Sequence, residues 1–310
     1  MSAVLFTSKA DDPKAWSAAL EQRLAGAEIR IWPEVGDVAD IDAAVVWRYP
    51  KGDLKRYPNL KLICSLGAGV DHIMADTERP AGVPIVRIVD PDLTQGMCEY
   101  ILLSALRYHR QFPEYAELQR QRRWTKLPPP RIGDRRVGVM GIGAIGGAAA
   151  RWLSFVGFPV AGWSRSAKSP DGIQTFHGAD GLARFLARTD ILVCVLPLTP
   201  DTRGIVNARN LALLPKGAFV INVARGGHVV AEDLIAALDS EHIAGATLDV
   251  FEPEPLPPDH PLWTHPKVTT TPHIAALTNP ETAADQIAEN IRRVRGGRAL
   301  LNVVDPAAGY

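Results

Sequence analysis

At 310 residues the chain is long enough for two domains of ordinary size, and its 46% hydrophobic and 22% charged residues describe a globular protein rather than a disordered one. Its 34 basic residues balance 34 acidic ones, which excludes any overall attraction to nucleic acid or to an acidic membrane surface. Three cysteines (Cys64, Cys98 and Cys194) are too few for a disulfide framework, no apolar run is long enough to span a bilayer, and no signal peptide is read at the start, so the cytoplasm is the expected compartment.

Residues 4–7 read as a short strand. Residues 14–24 read as a helix, because Trp16, Ala19, Leu20 and Leu24 recur at helical spacing. Further strands are expected at 28–32, 43–47, 60–65 and 85–88, separated by short loops or helices. A helix over 97–112 follows, ended or kinked by Pro113, then a loop at 128–131 rich in proline and arginine. Strands are next expected at 136–140, 159–163, 191–196, 218–223, 245–250 and 268–271. Helices fall between them at 147–156, 181–187, 208–213 and 231–238, and a last helix covers 280–295. Such alternation predicts parallel sheets.

The stretch Arg136-Val137-Gly138-Val139-Met140-Gly141-Ile142-Gly143-Ala144-Ile145-Gly146 carries the first chemical signal. A strand runs into Gly-x-Gly-x-x-Gly and then into a helix, the context a dinucleotide-binding turn requires. Gly141 permits the turn, Gly143 lets a diphosphate approach the backbone, and Gly146 lets the helix pack closely on the sheet. The N–H groups of Ala144, Ile145 and Gly146 then face the phosphates at a helix N-terminus. After the next strand an NAD site places an acidic residue for the ribose 2′-hydroxyl. Here the chain has Ser164-Arg165-Ser166 with Lys168 close behind, and no carboxylate before Asp171. A guanidinium flanked by hydroxyls suits a 2′-phosphate, so NADP(H) is expected in preference to NAD(H).

In open α/β sheets, ligands bind beyond the carboxyl ends of the strands. Those ends carry Pro197 and Thr202, then Ala224 and Arg225, then Asp249, Glu252 and Glu254, and finally His273. Reduction of a carbonyl next to a carboxylate needs such a set. Arg225 can clamp the carboxylate and stabilise charge growing on the carbonyl oxygen. His273 can donate a proton as hydride arrives. A neighbouring carboxylate, Glu254 foremost, would fix the ring and support its charged form. The expected fold is α/β, with two doubly wound parallel-sheet domains. A dinucleotide-binding Rossmann domain, residues 98–279, is inserted in a flavodoxin-like substrate domain made of residues 1–97 and 280–310. The substrate is expected in the cleft between them.

Six segments, in order along most of the chain, carry a family resemblance. They are Leu66-Gly67-Ala68-Gly69-Val70-Asp71, the glycine loop, Trp163-Ser164-Arg165-Ser166, Asn222-Val223-Ala224-Arg225-Gly226, Leu248-Asp249-Val250-Phe251 with Glu254-Pro255-Leu256-Pro257, and Thr271-Pro272-His273-Ile274-Ala275. With these the chain resembles the D-isomer-specific 2-hydroxyacid dehydrogenases, and within them the glyoxylate/hydroxypyruvate reductase A group. The resemblance implies an NAD(P)-dependent enzyme that reduces small 2-oxo acids to 2-hydroxy acids. It makes Arg225, Glu254 and His273 the catalytic set. It also implies that backbone N–H groups of Ala68 and Gly69 hold the substrate carboxylate, that Asp249 faces the nicotinamide carboxamide, and that Trp47 lines the substrate site. Family precedent suggests a homodimer. The segment 90–97 departs from the commoner family wording and is expected to line the nicotinamide side. A competing reading is an NAD(P)-sensing scaffold on the same fold, against which the full Arg–Glu–His set argues.

Overall fold

The computed structural model describes residues 2–167 and 172–309. The chain forms two compact units, Met1–Leu93 with Thr278–Tyr310, and Thr94–Leu277.

The first unit is built on a five-stranded sheet in the order β2-β1-β3-β4-β5. Its strands are β1 (Ala3–Ser8), β2 (Glu28–Ile31), β3 (Ile41–Trp47), β4 (Leu62–Ser65) and β5 (Ile85–Val86), all paired in parallel. This is the flavodoxin-like order. Residues 41–46 of β3 and all four of β4 are buried, as expected of strands covered on both faces. Helix α1 (Pro13–Arg23) starts where Asp12 accepts the Lys14 N–H and Pro13 takes the first turn. The four-residue helix α2 (Asp71–Met74) follows β4. Helix α9 (Pro280–Arg295) repeats the device used at α1, with Asn279 accepting the Glu281 N–H ahead of Pro280. Arg23 ties α1 to α9 through Asp285 at 2.6 Å and the carbonyl of Glu281 at 2.6 Å.

The second unit carries a seven-stranded sheet in the order β12-β11-β10-β9-β6-β7-β8. The strands are β6 (Val137–Met140), β7 (Val160–Ser164), β8 (Gln174–His177), β9 (Ile191–Cys194), β10 (Ala218–Asn222), β11 (Ile243–Leu248) and β12 (Val268–Thr270). Every pairing is parallel, so all strands end on one edge. The winding reverses between β6 and β9, the switch point where such sheets receive ligands. Helices α5 (Ala144–Phe155), α6 (Gly178–Ala187), α7 (Ala208–Leu211) and α8 (Ala231–Asp239) connect the strands. No helix among the described residues is long and apolar enough to cross a membrane.

Three elements differ from the sequence expectation. Helix α3 (Pro91–His109) begins at Pro91, because Asp90 Oδ1 accepts the Asp92 N–H at 3.1 Å and caps it; the segment 91–97 is therefore helical. Pro113 does more than end a helix. Gln111 adopts a left-handed φ of 59°, and Pro113 opens helix α4 (Phe112–Arg120), a position where its missing N–H costs nothing. Edge strand β8 was not expected, since its four residues show no buried alternation.

Candidate active site

In the second unit the phosphate cradle lies at the end of β6. Gly141 has φ 102°, and a Cβ there would sit 2.7 Å from the carbonyl oxygen of Val195, which follows β9. A Cβ on Gly146 would come within 1.8 Å of the Gly141 carbonyl oxygen. Both positions therefore demand glycine for close approach. Gly143 differs: no atom lies within 4 Å of a Cβ built there, and Gly143 and Ala144 are exposed. No side chain caps α5, so its first N–H groups, on Ala144, Ile145 and Gly146, are available to an anion. These features fit a diphosphate. At the end of β7, Ser164 is buried, with its hydroxyl donating to the Ser166 carbonyl at 2.8 Å, while Arg165 and Ser166 are exposed. Lys168 lies outside the described residues.

Beyond β9, Thr202 accepts the Thr199 N–H at 2.8 Å and donates to the Pro197 carbonyl at 2.7 Å, so its hydroxyl shapes the 197–202 loop. Arg203 pairs with Glu252 at 2.5 Å, tying this loop to the one after β11.

Beyond β10 comes Arg225, partly exposed, after the buried Ala224. Asn222, the last residue of β10, is fully buried and holds the following turn. Its Nδ2 donates to the Arg225 carbonyl at 2.9 Å, and its Oδ1 accepts the Ala224 N–H at 3.2 Å. Arg225 Nη1 donates to the Ala224 carbonyl at 2.6 Å. A Cβ on Gly226 would sit 1.9 Å from the Phe251 carbonyl carbon, so the turn presses directly on the loop that carries Glu254.

Beyond β11 and β12 the pair Glu254–His273 is in place. Glu254 Oε2 lies 2.9 Å from His273 Nδ1, and Oε1 accepts the Phe251 N–H at 2.9 Å. One oxygen of the carboxylate is thus fixed by backbone and the other orients the imidazole, an arrangement that leaves Nε2 to the reacting group. His273 has φ 57°, a left-handed conformation that is uncommon for a residue with a side chain and that its surroundings support here. Asp249 supplies much of that support. Its carboxylate is 1% exposed and accepts the Thr271 hydroxyl at 2.6 Å and the N–H groups of Ile274 and Ala275 at 2.8 Å each. The His273 N–H donates to the Asp249 carbonyl at 2.8 Å. Tyr100 extends this chain, its hydroxyl 2.5 Å from that of Thr271.

In the first unit, Trp47 ends β3, and Ala68 and Gly69 lie on the loop after β4, partly exposed. The ring of Trp47 covers Gly67, where a Cβ would come within 2.8 Å of Cζ3, and meets the His72 ring at a tilt of 59° with centroids 4.5 Å apart. Ser65 braces the loop by donating to the Gly69 carbonyl at 2.8 Å and accepting the Gly67 N–H at 3.3 Å.

Sequence reasoning did not single out Ser65, Asn222, Thr271 or Tyr100. Ser65 and Asn222 carried a signal: each is a polar residue closing an otherwise apolar strand. Tyr100 and Thr271 carried none, being paired across 171 positions.

A phosphate-binding glycine loop and a carboxylate-supported histidine at one edge of a doubly wound sheet define a dinucleotide-dependent oxidoreductase. Residues 102–275 match the D-isomer specific 2-hydroxyacid dehydrogenase NAD binding domain. The chain is 45% identical to a glyoxylate/hydroxypyruvate reductase A from Serratia proteamaculans over 99% of both chains, and 41% identical, with equal coverage, to one from Yersinia enterocolitica. Among solved structures, a D-isomer specific 2-hydroxyacid dehydrogenase from Xanthobacter autotrophicus in complex with NADPH is 47% identical, with a TM-score of 0.96 over 100% of this chain and 99% of that one. An NADPH-dependent glyoxylate/hydroxypyruvate reductase from Sinorhizobium meliloti, in complex with NADP and sulfate, is 41% identical, with a TM-score of 0.94 over 100% of both. The chain belongs to the D-isomer specific 2-hydroxyacid dehydrogenase family.

Proposed function

We propose that this chain reduces glyoxylate, hydroxypyruvate and similar small 2-oxo acids to 2-hydroxy acids with NADPH. The observation that carries the reading is the Glu254–His273 pair, 2.9 Å apart, on the sheet edge that also bears the glycine loop and Arg225. NADPH, when bound, supplies the hydride. The N–H groups at the start of α5 take its diphosphate, and Arg165 with Ser164 and Ser166 takes its 2′-phosphate. Arg225 holds the substrate carboxylate and stabilises charge on the carbonyl oxygen, to which His273 delivers the proton from Nε2. Glu254 keeps the ring aimed. Asp249 serves the site through the turn it pins. Ala68 and Gly69 are read as carboxylate-binding backbone and Trp47 as a substrate contact, by resemblance.

The preference for NADPH rests on the arginine where NAD users place an acid. The relatives named for the same reaction support it, and so do the complexes with NADPH and NADP. Three buried, unpaired thiols agree with a reducing cytoplasm. The chain is further read as a homodimer, since Leu103, Phe112 and Trp124 are 67%, 62% and 99% exposed within one stretch. A panel of 2-oxo acids assayed by nicotinamide absorbance with both cofactors tests the reading. Glyoxylate or hydroxypyruvate should turn over faster with NADPH. Faster turnover with NADH, or with none of the small 2-oxo acids, would count against it.

A further inference from the structure

His228 has no part in the reaction as read above, yet it is 0% exposed and sits three residues beyond Arg225, in the short 3-10 turn Gly226–His228. Its Nδ1 lies 3.1 Å from the Arg225 carbonyl oxygen and its Nε2 lies 3.3 Å from the Pro197 carbonyl oxygen. The ring therefore sits between the loop after β10 and the loop after β9; a neutral imidazole has one N–H and donates to one of these carbonyls, and only a protonated ring donates to both. The Arg225 carbonyl also receives the Asn222 Nδ2 at 2.9 Å and the His228 backbone N–H at 3.2 Å. Three groups thus converge on one carbonyl, and it belongs to the residue assigned to the substrate.

Gly226 is wedged on the Phe251 backbone, where a Cβ would sit 1.9 Å from the carbonyl carbon, which fixes that side of the turn. The orientation of the Arg225 peptide then depends also on what holds its oxygen. An apolar side chain at 228 would fill the space but would leave the Arg225 carbonyl to the Asn222 amide and the backbone N–H of residue 228 alone.

We propose that His228 is a positioning residue for Arg225, its buried ring donating from Nδ1 to the Arg225 carbonyl and so fixing the backbone from which the guanidinium projects. The proposal rests on the reading of Arg225 as the substrate-binding residue. It differs from a packing role because it assigns the effect to one ring nitrogen. Asparagine places an amide near Nδ1 and keeps the contact to Arg225. Glutamine places it near Nε2 and keeps the contact to Pro197.

The test compares His228→Asn, His228→Gln and His228→Leu in three ways: kcat/KM for glyoxylate, NADPH binding by fluorescence, and crystal structures. Displacing a substrate clamp by about 1 Å costs up to about a hundredfold in rate. His228→Asn should therefore stay within about threefold of wild type, and His228→Gln and His228→Leu should fall by tenfold or more, with NADPH affinity in His228→Gln unchanged. In the Arg225→Ala background, His228→Leu should cause no further loss, because the residue it positions is gone. Equal losses in the Asn and Gln variants, or additive losses with Arg225→Ala, would overturn the proposal. The crystal structures judge it without any assay: an Arg225 main chain unmoved in folded His228→Leu would also overturn it, and a displaced one would support it. Should Arg225→Ala itself retain full activity, the role given to Arg225 fails, while the structures still decide whether His228 holds its backbone.

Discussion

His273 has a left-handed backbone conformation, φ 57°, and several groups hold it there. The Asp249 carboxylate collects the N–H groups of Ile274 and Ala275 and the Thr271 hydroxyl, and Glu254 takes the ring. The candidate reacting residues could be picked from the sequence, since each follows an apolar run that had to be a strand. The work of their neighbours could not. The family resemblance casts Asp249 as a nicotinamide contact; its buried carboxylate also braces the His273 turn, a use that depends on which backbone amides come within 3 Å and leaves no trace in residue order. Arg165 is the residue whose role is most separable. Charge-assisted hydrogen bonds contribute about 1.5–3 kcal/mol. Arg165→Ala should weaken NADPH binding by roughly tenfold to a hundredfold and leave NADH nearly untouched, as read by fluorescence titration with each cofactor. Equal weakening of both would remove the 2′-phosphate argument.

At the scale of elements, the strands were read well because both sheets are parallel and covered, so each appears as a short apolar block. The misses have physical causes. α3 starts at Pro91 because a side chain, Asp90, caps it, and α4 exists because Gln111 takes a left-handed turn that frees Pro113 to begin a helix. β8 is an edge strand with too little burial to show a period. The entry to β6 is anchored by Asp190, which accepts from Arg136 Nη2 and Nε at 2.8 and 2.9 Å and from the Arg136 N–H at 2.8 Å. Burial alone would raise the Asp190 carboxyl, but the Arg136 hydrogen bonds outweigh it and hold the carboxyl below the usual carboxylate range. A depressed folded value means that stability is fully present above the unfolded value of about 3.9 and is lost as pH falls through the folded one. Because the Arg136 side chain is 41% exposed, screening limits the effect, and Asp190→Asn should cost about 1 kcal/mol at neutral pH. The difference in Tm between Asp190→Asn and wild type should shrink as pH falls from about 6 to below about 3.9. A constant difference across that range would show that Asp190 acts through packing alone.

Over the whole molecule, each unit has one parallel sheet, in the orders β2-β1-β3-β4-β5 and β12-β11-β10-β9-β6-β7-β8, whose strands end on one edge of that sheet, and every described candidate residue except those of the glycine helix lies in a segment at or just beyond a strand end. The class of fold follows from alternating apolar blocks and helices. The strand order does not, because it is set by which crossovers pack, and these pair residues far apart in the chain. The exposed Leu103, Phe112 and Trp124 are also a property of this scale. A second copy of the chain covering them predicts a dimer by sedimentation, with Trp124→Asp shifting it toward monomer. A monomeric wild type at micromolar concentration would refute the homodimer.

The roles proposed for Arg225 and His273 in reducing a 2-oxo acid are read out by steady-state kinetics of wild type, Arg225→Ala and His273→Ala with NADPH and glyoxylate. Removing a charge-stabilising donor costs about a hundredfold to a thousandfold, and removing a general acid about a hundredfold to ten-thousandfold. Both variants should lose kcat/KM on those scales while still binding NADPH. A folded, NADPH-binding His273→Ala enzyme with wild-type turnover would contradict the account.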